Sequence, residues 1–256
     1  MRRIKFQKAV RSATFTYEKS YLAGLHPIDK HMQNFKTPTQ VIMQIANRQS
    51  AVVGSMAARD VPELSGFHER KQLRFAKELA ELGFLSRSGQ KYDYIDYDVR
   101  VLIERLSVAG AIVALCSYQL AANPTPDKIT HLRAINARCR HINPPTKDDP
   151  IDAAWLDYHL HTETVRLSGN SAAWDMYQRG IKPAVWICAA RYFDLRDAYS
   201  SSNEHDRMIG YIEAREAMRA RDTAAFHFED AMRAIQETAR AEIQGRKSTT
   251  LPLLLI

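Results

Sequence analysis

Cysteine, glycine and proline are all scarce in this 256-residue chain, at three, ten and ten residues. Cys116, Cys139 and Cys188 stand far apart without a CxxC pair, which excludes a disulfide framework and a thiolate zinc site. Each reads as a small apolar residue of a reducing compartment. No run approaches the ~20 apolar residues that a membrane span needs, and the apolar tail at 251–256 is far too short. Lys5, Lys8 and Arg11 interrupt the start of the chain, so no signal-peptide core is expected there. The expected location is cytoplasmic, with no membrane partner. No nucleophile motif is present either, which argues against an enzyme.

The charge that is present is unevenly placed. Residues 1–96 carry 16 Lys+Arg against 9 Asp+Glu, whereas residues 97–256 carry 20 of each. A basic segment joined to a neutral one points to a polyanion as the partner of the first part. Nucleic acid is the commonest such partner.

After residue 97, apolar residues recur at helical spacing. Asp98 can cap a helix ending near Ala122, where Asn123-Pro124 stops it. Thr125-Pro126 starts another. A third spans about 152–167 and ends at Ser168-Gly169-Asn170. Further helices are expected at about 171–181, 183–199, 203–220 and 223–244. Before residue 97 the order differs: a helix over 38–48, a short one near 54–60, a long one over 67–82 closed by Gly83, then two short strands about Ser88-Gly89. That is the order of a winged helix-turn-helix. The expected fold class is mainly α, with an arm or extra helix over 1–35, a winged helix-turn-helix over 36–96, and an all-helical bundle of six or seven helices over 97–256.

On the 67–82 helix, Phe67, Leu73, Ala76, Leu79, Ala80 and Leu82 are expected to form the apolar side. Arg70, Lys71, Arg74 and Lys77 form a basic stripe that can read base edges and phosphates. The hairpin adds Arg87 and Lys91. Together these six are the expected contacts to double-stranded DNA. In the helical bundle, Asp157 and His161 lie four residues apart and share a helix face. That pair can hold a divalent metal or bond to each other. His159 points elsewhere, while His205 and His227 are further candidate ligands. An imidazole–carboxylate set suits zinc, nickel or manganese.

The run Leu156-Asp157-Tyr158-His159-Leu160-His161, followed by Leu167-Ser168-Gly169-Asn170, resembles the Asp-x-x-Phe-His…Ser-Gly-Asn signature of FadR-like C-terminal domains in GntR-type transcription regulators. Asn123-Pro124-Thr125-Pro126-Asp127 and Asn203-Glu204-His205 fit the same pattern. The resemblance spans about 98–240 and implies an all-helical effector domain that binds small carboxylates, often through a metal held by Asp and three His. The amino-terminal segment lacks the Pro-Ser-Glu-Arg-x-Leu and Arg-x-Pro-Val-Arg runs of that group's winged helix.

In the family, the last two histidines sit symmetrically about a helix–helix turn. Here Arg221-Asp222 reads as that turn, and symmetry about it pairs Tyr211 with Arg233. A six-residue offset shifts a ligand by roughly 9 Å along its helix, so two sites compete. One is a metal site of Asp157, His161, His205 and His227. The other is a metal-free pocket of Asp157, His161, Tyr211 and Arg233, with the arginine taking the effector's anion. Arg105 is a further anion-binding candidate. The function expected is a DNA-binding homodimer that senses a small organic acid. The alternatives are a metal-dependent helical enzyme, or a helical interaction protein whose basic segment binds RNA or protein.

Overall fold

The computed structural model describes residues 39–46, 56–141, 150–193 and 195–248. The expected arm over 1–35 and the tail at 251–256 lie outside these residues. The chain divides into two compact units, the main break falling between Tyr94 and Ile95.

The first unit opens with α1 (Thr39–Ala46), which buries Val41, Ile42, Ile45 and Ala46. Strand β1 (Met56–Ala57) follows, then two 3-10 turns, Ala58–Asp60 and Pro62–Leu64. The short helix expected near 54–60 is thus replaced: Met56 and Ala57 are drawn into a sheet, and Pro62 starts the second turn. Next come α2 (Glu69–Leu82), β2 (Leu85–Ser88) and β3 (Lys91–Tyr94). The strands form one antiparallel sheet in the order β1-β3-β2, with Met56 opposite Tyr92 and Arg87 opposite the same residue. Gly89 turns the hairpin at φ +62°, a conformation that glycine adopts without a Cβ penalty.

His68 caps α2, its Nδ1 accepting from the Arg70 amide at 3.4 Å. Gly83 ends the helix in the left-handed region. The inward face of α2 is Gln72, Phe75, Ala76, Leu79 and Leu82. Leu73, expected in the core, is 45% exposed. At 100° per residue it falls on the flank of a face centred on Ala76 and Leu79. Gln72 takes the inward place instead, donating to the Leu64 carbonyl at 3.1 Å.

The second unit is all helix: α3 (Val99–Ala122), α4 (Pro126–His141), α5 (Pro150–Leu167), α6 (Ser171–Gly180), α7 (Pro183–Ala189), α8 (Leu195–Glu213) and α9 (Ala217–Ser248). Asp98 caps α3 by accepting from the Val101 amide at 2.7 Å. Asn170 caps α6 by accepting from Ala173 at 3.0 Å. The expected 183–199 helix ends early: α7 is buried throughout, and a 3-10 turn at Ala190–Tyr192 closes it. The chain is mainly α, as expected, with seven helices in this unit among the described residues. Helix α9 packs along α3 and α8, while α5 packs against α3, α4, α6 and α7.

The junction between α8 and α9 overturns one expectation. It lies at 214–216, and Arg221-Asp222 falls inside α9. Arg215 takes φ +61°. Its amide donates to Ile212 at 3.1 Å and the Glu216 amide donates to Tyr211 at 2.9 Å, the paired bonds of a Schellman stop. Glu216, the last residue of this junction, lies midway between His205 and His227.

Candidate metal centre

Three helices bring the four expected ligands together. Asp157 and His161 face inward from adjacent turns of α5, His205 comes from α8, and His227 from α9. His161 Nε2 lies 3.2 Å from His227 Nε2, and His205 Nε2 lies 3.4 Å from the same atom. Asp157 Oδ1 stands 3.1 Å from His205 Nε2 and 3.7 Å from His161 Nε2. All four ligating atoms lie within 4.8 Å of one another. Donors bound about 2.1 Å from a shared ion stand roughly 3–3.5 Å apart; the 3.1, 3.2 and 3.4 Å spacings already match this, while the 3.7 Å pair and the wider ones would have to draw in around an ion. His161 and His205 are 0% and 2% exposed.

The surroundings set the charge state and orientation of these groups. Burial opposes ionisation of Asp157, but the three imidazoles beside it outweigh that and hold its carboxyl well below the usual range. Burial drives His161 and His205 down, keeping them neutral. Burial also works against charge on His227, yet the bond to Glu204 and the Asp157 charge carry it above the ordinary histidine value. Glu204 Oε2 lies 2.9 Å from His227 Nδ1, which leaves Nε2 turned toward the other donors. Asp157 is fixed in turn: Trp186 Nε1 donates to Oδ2 at 2.7 Å and the Ser201 hydroxyl to Oδ1 at 3.3 Å. Three neutral or neutralisable imidazoles around a carboxylate fit zinc, nickel or manganese. Among the described residues, the Nδ1 atoms of His161 and His205 have no hydrogen-bond partner.

The other expected anion binders are elsewhere. Tyr211 accepts from Arg219, whose guanidinium covers its ring at 4.1 Å. Arg233 is exposed and pairs with Asp230. Arg105 is exposed and donates to the Gly180 carbonyl at 3.2 Å. The pairing of Tyr211 with Arg233 followed from a turn at 221–222; with the turn at 214–216 that symmetry vanishes, and His205 and His227 face each other. His159 is buried on α5 but outside the cluster. Asn170 serves as a helix cap and donates to Gln119 at 3.0 Å. Glu204, Trp186 and Phe228 were not singled out as site residues from sequence; only Glu204 had a signal, its place beside His205.

In the first unit, Arg70, Lys71, Arg74, Lys77, Arg87 and Lys91 are all exposed. Arg74 covers the Phe75 ring at 4.9 Å and approaches Glu78 at 3.8 Å. Arg87 Nε donates to the Gly89 carbonyl at 2.8 Å, which holds it at the hairpin tip.

The chain thus joins a unit with the element order of a winged helix to a helical bundle that holds an Asp–His cluster. Residues 97–230 match the family model described as the FCD domain. The chain belongs to that family, the effector-binding domains of GntR-type transcription regulators, and is a regulator of this type. The fold is similar to the solved structure of McbR/YncC from E. coli, at 11% identity and a TM-score of 0.56, over 78% of this chain and 95% of that one. It is also similar to a Listeria monocytogenes structure titled "Lar controls the expression of the Listeria monocytogenes agr system and mediates virulence", at 10% identity and a TM-score of 0.58, over 79% and 98% of the two chains. No curated protein sequence matches.

Proposed function

We propose that residues 36–96 read an operator in duplex DNA, and that residues 97–256 hold a divalent metal and through it a small carboxylate. The observation that carries this is the convergence of Asp157, His161, His205 and His227, from three helices, onto one point with metal-compatible spacings. Bound there, the metal supplies a Lewis-acid position for an effector carboxylate oxygen. Asp157 and the three imidazoles provide the ligand atoms, while Glu204, Trp186 and Ser201 hold two of them in orientation. With Arg105, Tyr211 and Arg233 occupied on the surface, the metal takes over the anion-binding role.

Helix α2 is the reading helix, its Arg70, Arg74 and Lys77 facing the major groove and Lys71, Arg87 and Lys91 serving phosphates. Leu73 adds an apolar contact of the kind a thymine methyl accepts. A second copy of the chain pairs along α3, where Val108, Leu115 and Tyr118 form an exposed stripe at helical spacing, so two reading helices meet a two-fold operator. The site has a bonded route toward the segment leading to the first unit. Trp186 holds Asp157, α7 runs on into the 3-10 turn, and Arg191 in that turn donates to the Tyr97 carbonyl at 3.1 Å.

The test is a gel shift with DNA enriched from a random duplex library, at two salt concentrations, with metal-loaded and metal-stripped protein. Binding should weaken steeply with salt, vanish in the Arg70→Ala, Arg74→Ala double variant, and change on metal removal. DNA affinity that ignores salt, the double substitution and metal removal would overturn the proposal.

A further inference from the structure

Helices α3 and α9 touch at a glycine. A methyl group built on Gly110 would lie 2.8 Å from Phe228 Cβ and 2.9 Å from its Cγ, where carbon contacts settle at about 3.5–4.0 Å. The helices reach this separation because position 110 carries no side chain. Phe228 follows His227 in the chain and is 3% exposed. Its ring centre is 4.7 Å from that of His161, 5.4 Å from that of His227 and 6.2 Å from that of Trp186, and Trp186 fixes Asp157. Phe228 therefore links the close approach of α3 and α9 to the residues of the cluster.

We infer that Gly110 is a positioning residue for the metal centre, acting through Phe228 on His227, an inference that rests on the metal proposal above. The magnitudes decide it. A Cβ cannot rotate out of the way, so relieving the overlap moves one helix by about 1 Å. Coordination distances tolerate only about 0.2 Å. The α3 side is anchored by its packing on α5, α6, α7 and α8, so the movement falls on α9 and carries His227 with it.

The experiment has a matched control. Gly210 lies in α8, five residues from His205, and a methyl there meets nothing within 4 Å. Gly210→Ala thus gives the same gain in helix propensity without the displacement. Wild type, Gly110→Ala, Gly210→Ala and Phe228→Leu are stripped of metal, checked for folding by circular dichroism, and titrated with zinc against a chromogenic chelator. The visible bands of the cobalt-loaded forms report coordination geometry. Gly110→Ala should bind zinc about 10- to 100-fold more weakly and shift the cobalt bands. Gly210→Ala and Phe228→Leu should stay within about threefold of wild type, well inside that loss, because leucine keeps the Cβ and Cγ that face Gly110. Wild-type affinity in Gly110→Ala overturns the inference. So does a Phe228→Leu loss of about tenfold or more, which also decides the matter if Gly110→Ala fails to fold. A wild type that takes no zinc overturns the metal proposal itself.

Discussion

Replacing Glu204 with Gln tests how the cluster prepares His227, the imidazole that a bonded carboxylate orients. Glu204 Oε2 sits 2.9 Å from His227 Nδ1, whereas among the described residues the Nδ1 atoms of His161 and His205 have no hydrogen-bond partner. Among the ligands, orientation through a bonded carboxylate is therefore confined to His227. Glutamine keeps an acceptor oxygen of the same reach and removes the charge. Charge-assisted bonds are roughly twice as strong as neutral ones, and losing such an outer partner costs about 10- to 100-fold in metal affinity, or about 1.4–2.8 kcal/mol. A second effect opposes the first. The Glu204 bond raises the His227 pKa, and a proton on Nε2 competes with metal. In wild type, affinity should fall as pH drops through that raised value; in Glu204→Gln the fall should move to lower pH. The deficit is thus widest near pH ~8 and narrows toward pH ~6. A chelator competition titration across that range reads both effects. Equal affinity and an unshifted pH profile would refute the reasoning.

Three further outcomes follow from other parts of the chain. Leu73→Ala should lose sensitivity to thymine-to-uracil substitution at one operator position, where wild type weakens measurably; a wild type indifferent to every such swap removes the methyl contact. Glu163 is fully buried and bonded to His131 at 2.7 Å and Arg166 at 2.6 Å; burial raises its carboxyl, but these bonds prevail and bring it to about 2. Its stabilisation is full above the ordinary carboxylate value and is lost as pH falls toward 2. Glu163→Gln should therefore cost about 3 kcal/mol at neutral pH and flatten acid unfolding in that window, and an unchanged acid limb would contradict this. Arg191→Ala should leave zinc and DNA affinities near wild type while shrinking the difference in DNA affinity between loaded and stripped protein; an undiminished difference would break the proposed route.

Much of this architecture is legible because its punctuation is local. Asp98, Asn170 and Gly83 mark helix ends by chemistry that acts within three residues, and Gly89 marks the hairpin tip. The candidate metal ligands are legible as residue types at family spacing. What stayed hidden was the turn that brings them together. The Glu213-Ala214-Arg215-Glu216 stretch has neither glycine nor proline, and Arg215 accepts a left-handed conformation because the flanking helices α8 and α9 pack on each other. Arg221-Asp222, which looks like a break, continues the helix. Leu73 misled in the opposite sense: an apolar residue on an amphipathic helix reads as core until the neighbouring Gln72 is seen bonded to a buried carbonyl. Gly110, Phe228 and Trp186 give no local signal, since their significance depends on contacts across dozens of residues of chain.

The most direct measurement is the metal content of purified protein after exposure to zinc, nickel or manganese and exhaustive dialysis. The account predicts about one ion per chain in wild type, and a loss of most of it in each of Asp157→Ala, His161→Ala, His205→Ala and His227→Ala, while Tyr211→Phe and Arg233→Ala keep it. A wild type that retains no ion, or a His161→Ala variant with full metal content, would contradict it.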